Sequence, residues 1–439
     1  MKLRTFPILP LFCTWHLVGV AAAQGGEDWP YPDDIPSPSP ASVGLAGAEP
    51  TNVARYFKAL GARSGDISPD GETVVYASSA SGVPQVYAVS ANGGAPRQIT
   101  FGTGVSGFGF APDGRVFVAS DTDGNEREGY TLLSIDGRDE ERLLAASDAF
   151  NVFGAFDDDG DRFVFASTRR TGIDFDIYLG TTAGEERRIF DGKFAFLPQA
   201  WRPGTDEVLV TETSGEDADL LHILNVETGT LATLFDPEVR SSYHDFVFAP
   251  DGSGFWMATN HGREFHALVY MNLVTYAQTG DAEASLSVVH SHDDRDIGDV
   301  ALVGQTLVWT ENDGGYSKLG ALNIKNGREV KLPELMDGTY TLSAAKEAET
   351  LAVSIRGPQT PGTVVAIDLS GRRARARIVG HPTDGGLPIE TFSAPEDVRF
   401  AAQDGVMLQG LLYRPETGAG EIPVVINVHG GPTAQARPR

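Results

Sequence analysis

The sequence predicts an all-β protein organised as a seven-bladed β-propeller, and three observations support this fold class. First, a tight turn formed by Ser68, Pro69, Asp70 and Gly71 leads into residues 73–76, which are β-branched or aromatic as in a buried strand. Second, this unit recurs, with turn anchors at residues 70, 113, 159, 204, 251, 303 and 347. Third, the anchors are 43, 46, 45, 47, 52 and 44 residues apart, a period typical of propeller blades.

Two other architectures fit this repeat less well. A β-sandwich is the alternative, but sandwiches rarely keep so regular a period. A solenoid of helix pairs would need apolar residues at 3.6-residue spacing, which the units do not show. The period therefore favours seven blades.

The first 23 residues have the parts of a secretory signal peptide. A short basic start precedes a mostly apolar run over residues 6–20, and three alanines at 21–23 give a small-residue cleavage pattern. A signal anchor or a misassigned start codon is the alternative. The only cysteine, Cys13, lies in this segment, so the mature protein would have no disulfide. We expect a periplasmic or secreted protein that is free of the membrane after cleavage.

The formal net charge of −26 also limits the partners that we expect. Nucleic acids and anionic membranes attract a basic face, so a strongly acidic chain argues against both. A charge spread over the surface for solubility is the simplest interpretation.

Two segments precede the blades. Residues 24–50 are rich in Pro, Gly, Ser and acids and are predicted to be a disordered linker. Residues 51–66 are predicted to be a short helix and lead-in, and the propeller follows over 67–381. The apolar side chains of the predicted helix recur at helical spacing after the candidate caps Thr51 and Asn52: Val53, Tyr56, Phe57 and Leu60.

Two segments within the blades carry residue types that bind metals. Oxygen-bearing side chains alternate over residues 121–126, as in a calcium-binding loop, but their spacing is not that of an EF-hand. A turn after the first strand of a blade is favoured for this segment, and likewise for residues 311–315. His290 and His292 lie on one face of an extended strand and could ligate zinc, yet the sequence assigns no third ligand. An exposed loop is favoured, and we expect neither a metal nor a cofactor.

The composition changes again after the blades. Residues 382–395 contain three prolines and a Gly pair and are predicted to be a linker. Residues 397–400 and 406–413 are predicted to form a β-hairpin. Residues 424–428 are mostly apolar, as in a strand buried between helical layers. This run leads directly to a short motif: His429, Gly430, Gly431 and Pro432.

A buried strand that ends in His-Gly-Gly is the layout of an oxyanion-hole loop in the α/β-hydrolase fold. A tetrahedral intermediate carries negative charge on its oxygen, so backbone N–H groups must approach it closely, and glycines remove the Cβ atoms that would block the approach. Gly430 or Gly431 would donate the N–H, with His429 and Pro432 in supporting roles. Residues 396–439 are therefore predicted to be the truncated start of a hydrolase domain.

With these motifs in place, the sequence resembles the prolyl oligopeptidase family of serine peptidases, and most closely its acylaminoacyl-peptidase and dipeptidyl-peptidase branch. The resemblance rests on the Pro-Asp-Gly repeats, on Leu411 to Pro415 after the hairpin turn, and on residues 423–432, and it covers about residues 54–439. It implies a propeller that covers the mouth of a hydrolase active site and restricts access to short peptides. It implies no cofactor and no metal.

The sequence departs from this family at the nucleophile. No Gly-x-Ser-x-Gly elbow occurs, and residues 104–108 miss the pattern at the last position. The resemblance implies that the serine, acid and histidine follow Arg439, so the chain as given is predicted to be inactive. Glu126 and Glu128 are conceivable clamps for a substrate amino terminus, although a solvated turn is favoured. Endopeptidase, dipeptidyl-peptidase and acylaminoacyl-peptidase specificity, and the oligomeric state, stay unassigned.

The alternative function is a non-catalytic propeller that binds a peptide or protein, similar to the propeller of the periplasmic protein TolB. Under that hypothesis the hairpin and the segment ending in Pro432 would have no role.

Overall fold

The computed structural model describes residues 56–383, 386–387, 392–414, 424–431 and 433–438. Within them, consecutive antiparallel strands form seven small sheets, and a separate two-stranded hairpin follows. The prediction of a seven-bladed β-propeller is confirmed.

Each blade is a meander whose strands pair in chain order. Blades 1 and 2 consist of β1 (Arg63–Ile67), β2 (Thr73–Ser78), β3 (Gln85–Ser90), β4 (Arg97–Gln98), β5 (Gly107–Phe110), β6 (Val116–Ser120), β7 (Gly129–Leu133) and β8 (Glu140–Leu144). Blades 3 and 4 consist of β9 (Asn151–Phe156), β10 (Arg162–Ser167), β11 (Asp176–Thr181), β12 (Glu186–Phe190), β13 (Phe196–Trp201), β14 (Glu207–Gly215), β15 (Ala218–Asn225) and β16 (Leu231–Thr233).

Blades 5 to 7 follow the same chain order, with an inserted helix in blade 5 and a sheet of three strands in blade 6. They consist of β17 (Tyr243–Phe248), β18 (Gly254–Thr259), β19 (Ala267–Asn272), α1 (Leu273–Thr279), a 3-10 turn (Glu283–Ser285), β20 (Leu286–His290), β21 (Ile297–Val303), β22 (Thr306–Asp313), β23 (Tyr316–Asn323), β24 (Thr339–Ala344), β25 (Thr350–Gly357), β26 (Thr360–Asp368) and β27 (Arg375–Gly380). Asn272 caps α1 through its side chain, and Gly280 ends it in the left-handed region at φ 67°.

The recurring Pro-Asp-Gly turn joins the first strand of a blade to the second. In blade 1 the Gly71 N–H donates to the Ser68 carbonyl at 2.9 Å, and Gly71 has φ +75°, which glycine adopts without strain. The Ser68 hydroxyl donates to the Asp70 carboxylate, which also accepts the Glu72 N–H, and these bonds lower the pKa of Asp70. The anchors therefore mark the end of each inner strand.

This placement corrects two predictions. The propeller begins at Arg63, because an inner strand precedes the first anchor, whereas the sequence predicted a start at residue 67. The turn over 121–126 follows the second strand of its blade, and so does Gly314–Gly315, while Glu311 to Asp313 belong to β22 itself. Both predictions were wrong because they counted the strand after the anchor as the first.

Seven apolar clusters fill the seven contacts between neighbouring blades. The contact between blades 2 and 3 is aromatic and includes Phe117, Tyr130, Phe153, Phe163 and Phe165. Both faces of the middle strands are covered by a neighbouring blade, which explains their continuous apolar runs. Burying each large apolar side chain contributes about 1.5–3 kcal/mol, so these contacts hold the ring together.

Among the described residues, no strand is exchanged between blades 1 and 7, since each of these sheets contains only consecutive strands. Closure depends instead on side-chain packing and on bonds across the seam. The Gly65 N–H donates to Ser354 Oγ at 2.6 Å, and the Glu347 N–H donates to the Pro69 carbonyl at 2.8 Å. Ile67, Val74 and residues of β25 and β26 share one apolar cluster at this seam.

The ring has two different faces. The face that we call the anchor face carries the turns between first and second strands, including Pro69 and Pro250. The opposite face, which we call the linker face, carries the turns between second and third strands and the connections between blades. Leu60, before β1, and Thr383, after β27, pair with one another on the linker face. The chain therefore enters and leaves the ring on one side.

The predicted hairpin is present as β28 (Glu396–Ala401) and β29 (Met407–Leu412). The predicted buried strand over 424–428 is wrong for the structure described here, because these residues form no strand and Val425 is 92% exposed. A strand buried in a parallel sheet needs neighbours on both edges, and among the described residues no strand pairs with this run.

Several predicted segments lie outside the described residues: the signal peptide (1–23), the linker (24–50), the first half of the predicted helix (51–55), and parts of the second linker (384–385 and 388–391). No helix within the described part of the chain has the length and apolar character needed to cross a membrane.

Candidate functional site

The predicted oxyanion loop lies at the surface. His429, Gly430 and Gly431 are exposed, and Pro432 lies outside the described residues. Gly431 has φ +72°, and a Cβ added at Gly430 would meet no described atom within 4 Å. The glycines are thus open to a ligand, but no described group faces them, and their role as N–H donors stays a prediction.

The segments after the propeller dock on the linker face of blade 6. Gln409 Nε2 donates to the Gly314 carbonyl at 3.1 Å, and Arg437 Nε donates to the Gly315 carbonyl at 2.8 Å. Asn312 Nδ2 donates to Gln435 Oε1 at 2.8 Å. The hairpin and the stretch over 433–438 therefore share one docking surface, the turn between β22 and β23.

A cavity of about 450 Å³ occupies the centre of the ring towards the anchor face. The inner strands of the blades line it, together with a rim of turn prolines: Pro69, Pro112, Pro203 and Pro250. Asp158 and Lys346 from opposite parts of the ring form an ion pair at 3.3 Å across the rim. This volume is in the range of small-ligand pockets and has room for a short extended peptide.

Carboxylates on the inner strands tie neighbouring blades together. Asp66 accepts the Phe110 N–H at 2.7 Å, which links blade 1 to blade 2. Asp245 accepts the Asp299 N–H at 2.9 Å, which links blade 5 to blade 6. Asp245 and Asp299 have φ 58° and 40°, and both lie at β-bulges. These bulges turn the backbone towards the neighbouring blade.

Sequence reasoning missed a serine–histidine–aspartate arrangement on the linker face. Ser242 Oγ lies 2.6 Å from His266 Nε2, and His266 Nδ1 lies 2.9 Å from Asp296 Oδ1. Burial alone would raise the pKa of Asp296, but hydrogen bonds from the His266 ring and backbone outweigh it and lower the pKa. No signal in the sequence could reveal this arrangement, because the three residues come from three separate segments.

The hydrogen bonds run from serine to histidine to aspartate, as in a catalytic triad, but the Ser242 backbone N–H is not free to stabilise an oxyanion. The Ser242 N–H donates to Asn260 Oδ1 at 2.8 Å, so it is not available to an oxyanion. The three side chains join the start of β17, the turn before β19 and the loop before β21. We therefore assign them to the hydrogen-bonding framework between blades 5 and 6.

A neighbouring serine is paired in a similar way. Ser241 Oγ lies 2.9 Å from His261 Nδ1, and His261 Nε2 lies 2.7 Å from Glu283 Oε1. Ser241 is 0% exposed, so a peptide carbonyl cannot reach its oxygen. This network is also structural.

Glu126 and Glu128, the conceivable amino-terminal clamps, lie on the linker face between β6 and β7. Glu126 is exposed at φ 59°, and its N–H donates to Asp121 Oδ2 at 2.7 Å, as in a capped turn. Burial raises the pKa of Glu128, and the nearby charges of Asp121 and Glu126 raise it further. The turn over 121–126 is thus a hydrogen-bonded loop whose negative charge is concentrated beside Glu128.

His290 and His292 are half-buried and have a third partner that the sequence did not indicate. His290 Nε2 lies 3.2 Å from Glu311 Oε1, and His292 Nε2 lies 2.9 Å from Glu311 Oε2. The two Nε2 atoms lie 3.2 Å apart. The prediction of an exposed loop is therefore wrong, because His290 ends a strand and both histidines are half-buried. The third candidate ligand, which the sequence left unassigned, is Glu311 from the next blade.

Comparisons with known proteins confirm the resemblance to the prolyl oligopeptidase family. Over 148 residues the chain is 28% identical to a protein of Bacillus subtilis (strain 168) described as uncharacterized peptidase YuxL. This match covers 31% of the chain and 22% of that relative. No family model matches the chain.

Solved structures of similar fold include a prolyl endopeptidase, matched with a TM-score of 0.64 and 13% identity over 81% of this chain and 55% of that chain. Prolyl oligopeptidase B from Galerina marginata matches with a TM-score of 0.63 and 12% identity over the same shares. Puromycin hydrolase matches with a TM-score of 0.61 and 16% identity over 80% of this chain and 59% of that chain. The chain thus spans little more than half of each of these structures.

Proposed function

We propose that this chain, which has the propeller fold of the prolyl oligopeptidase family, is the propeller-bearing part of a serine peptidase. One observation carries the proposal. The two ends of the ring leave together at Leu60 and Thr383, and the hairpin with the stretch over 433–438 docks on that same linker face. A hydrolase domain that begins with these segments would cover the central opening.

The chemistry would be acyl transfer. A serine activated by a histidine would attack a peptide carbonyl and form an acyl-enzyme, which water then hydrolyses. Gly430 or Gly431 would donate a backbone N–H to the oxyanion. The serine, acid and histidine would be supplied after Arg439 in a longer polypeptide, in the chain order of α/β-hydrolases. The 439-residue chain is therefore expected to be inactive alone.

The propeller would act as a size filter. The cavity of about 450 Å³ has room for a short extended peptide and is far too small for a folded domain. Short peptides are accordingly the proposed substrates. The concentrated negative charge at Glu126 and Glu128 would suit a substrate with a free amino terminus.

We also propose that the enzyme is exported, on the basis of the predicted signal peptide over residues 1–23. Cell fractionation of the full-length protein tests this, with N-terminal sequencing of the mature form. Mature protein that begins near Gln24 in the periplasm or medium supports export. Uncleaved protein in the cytoplasm contradicts it.

Hydrolysis assays on the longer polypeptide test the proposed activity. We expect it to cleave peptidyl and aminoacyl chromogenic amides of a few residues and to leave a folded protein substrate intact. The 439-residue chain should show no turnover. A longer polypeptide that binds peptides tightly and never cleaves them would favour the non-catalytic binding propeller instead.

A further inference from the structure

We propose that His290, His292 and Glu311 form a binding site for a late first-row divalent cation, with Zn²⁺ as the probe ion. The site lies on the linker face and joins blade 5 to blade 6. Among the described residues, this is the group of three histidine or acidic side chains whose ligand atoms all lie within 4.8 Å of one another. The proposal is independent of the proposed peptidase function.

The distances between the three side chains match those between ligands of one small cation. The two Nε2 atoms lie 3.2 Å apart, and each lies close to a different oxygen of the Glu311 carboxylate, His290 at 3.2 Å from Oε1 and His292 at 2.9 Å from Oε2. Zinc–nitrogen and zinc–oxygen bonds of 2.0–2.2 Å in tetrahedral geometry place neighbouring ligand atoms about 3.3–3.5 Å apart. The two Nε2 atoms and one Glu311 oxygen, which all lie within 4.8 Å of one another, could therefore take three corners of a tetrahedron after side-chain adjustment, and water would take the fourth.

The carboxylate of Glu311 is held in position by a residue other than the three candidate ligands. Trp309 Nε1 donates to Glu311 Oε1 at 3.1 Å, and the Trp309 ring packs against His290 at a centroid distance of 4.9 Å. Such outer partners orient metal ligands and contribute to affinity. One indole thus fixes two of the three ligands.

Hydrogen bonds alone explain the positions of the three side chains less well than a bound cation does. Each imidazole can donate an Nε2–H to its own Glu311 oxygen, but the two N–H dipoles then lie side by side with their nitrogens only 3.2 Å apart. A cation removes this conflict, since each proton moves to Nδ1 and both Nε2 lone pairs become ligands. Metal binding to neutral histidines in this way needs no net release of protons from them.

The donor set selects the class of metal. Two imidazoles and one carboxylate suit Zn²⁺, Ni²⁺ or Cu²⁺, whereas Ca²⁺ and Mg²⁺ need six or more oxygen ligands. Arg295, which interacts electrostatically with Glu311, pairs with Asp294 at 2.9 Å and with Asp313 at 3.0 Å. The positive charge of Arg295 is thus neutralised by two carboxylates that are not members of the cluster.

The position of the site predicts what the cation does. His290 ends β20 in blade 5, and Glu311 lies on β22 in blade 6. A shared cation would therefore cross-link two blades, as a metal clip. Asn312 follows Glu311 directly and contacts Gln435. The clip would therefore stabilise the part of the ring on which the hairpin and residues 433–438 dock.

Zinc titration of the tag-free 439-residue chain tests the proposal, with a chromophoric chelator as competitor and thermal unfolding in parallel. We expect one Zn²⁺ per chain and a rise in Tm with zinc, but no rise with Mg²⁺ or Ca²⁺. His292→Gln and Glu311→Gln should each weaken binding at least about tenfold. Trp309→Phe, which keeps an aromatic ring against His290, should weaken it about 10- to 100-fold through loss of the indole N–H.

His381→Gln is the matched control, because His381 is an exposed histidine outside the cluster. It should leave zinc affinity unchanged. The proposal is overturned if the chain binds no zinc, or if His292→Gln and Glu311→Gln bind zinc as tightly as the unmodified chain. Each variant is first compared with the unmodified chain by circular dichroism without metal. If His292→Gln or Glu311→Gln is misfolded, the zinc affinity of Trp309→Phe decides the question. Unchanged zinc affinity in Trp309→Phe then overturns the proposal.

Discussion

Leu60 and Thr383 form an antiparallel bridge in which the Leu60 N–H donates to the Thr383 carbonyl at 2.8 Å and the Thr383 N–H donates back at 2.7 Å. The residues are 323 positions apart, so this pair joins the beginning and the end of the ring. Because no strand of the described part of the chain is exchanged between blades 1 and 7, this bridge and its neighbours bear directly on ring stability.

Gly61, the residue after this bridge, is expected to tolerate no side chain. A Cβ there would lie 2.2 Å from the Pro361 carbonyl oxygen. Gly61→Ala should lower the free energy of unfolding by about 1–3 kcal/mol, because the seam must open to accommodate the methyl group. Urea unfolding measures this, and Gly215→Ala, whose added Cβ comes no closer than 3.7 Å to another atom, is the control. Equal effects of both substitutions would contradict this account of closure.

The aromatic contact between blades 2 and 3 should be a major source of stability. Phe163→Ala removes a fully buried ring and is expected to cost about 3–5 kcal/mol. Phe101→Ala removes a ring that is 78% exposed and should change stability by less than about 0.5 kcal/mol. Chemical denaturation of the two variants compares them, and a small loss for Phe163→Ala would argue against face-to-face packing of these blades.

The His266–Asp296 pair should make stability depend on acid pH. The pKa of Asp296 is lowered in the folded chain, so its contribution is present above the unfolded pKa of about 3.9 and is lost as pH falls through the folded value. Asp296→Asn should therefore be less stable than the unmodified chain at pH 7, and the difference should shrink below about pH 4. Tm measured from pH 3 to pH 7 shows this, and a difference that stays constant over this range would contradict it.

The docking of residues 433–438 on blade 6 should protect the hairpin from proteolysis. Arg437→Ala removes the bonds to Gly315 and Ser317 and should accelerate cleavage near Tyr413 several-fold. Chymotrypsin suits the assay, because it cleaves after Tyr413 and does not select for arginine. Arg399→Ala, which removes an exposed pair with Asp397 within the hairpin, is the control and should be cut at the original rate. Unchanged cleavage of Arg437→Ala would mean that the docking is not maintained in solution.

The parts of the fold that the sequence predicted depend on local chemistry. The Asp70–Gly71 turn and the strand after it are specified within a few residues, and the same holds for the hairpin around Asp404 and Gly405. Repeating such local signals seven times was enough to predict the number of blades.

The parts that the sequence did not predict depend on distant partners. Strand β1, with the sequence Arg-Ser-Gly-Asp-Ile, is bulged and lines the channel, so it lacks the apolar pattern of a strand. Glu311 joins His290 and His292 from another blade, and the spacing along the chain does not show that contact. The run over 424–428 has the composition of a buried strand, but composition does not supply the neighbouring strands that would bury it.

The most direct test of the proposed function is to label the serine nucleophile in the longer polypeptide. The coding sequence beyond codon 439 is read, the longer polypeptide is produced, and both it and the 439-residue chain are treated with a fluorophosphonate probe. We predict a Gly-x-Ser-x-Gly elbow in the added segment and covalent labelling at its serine, with no labelling of the 439-residue chain. A longer polypeptide without such an elbow, or one that the probe leaves unlabelled, would contradict the assignment to a serine peptidase.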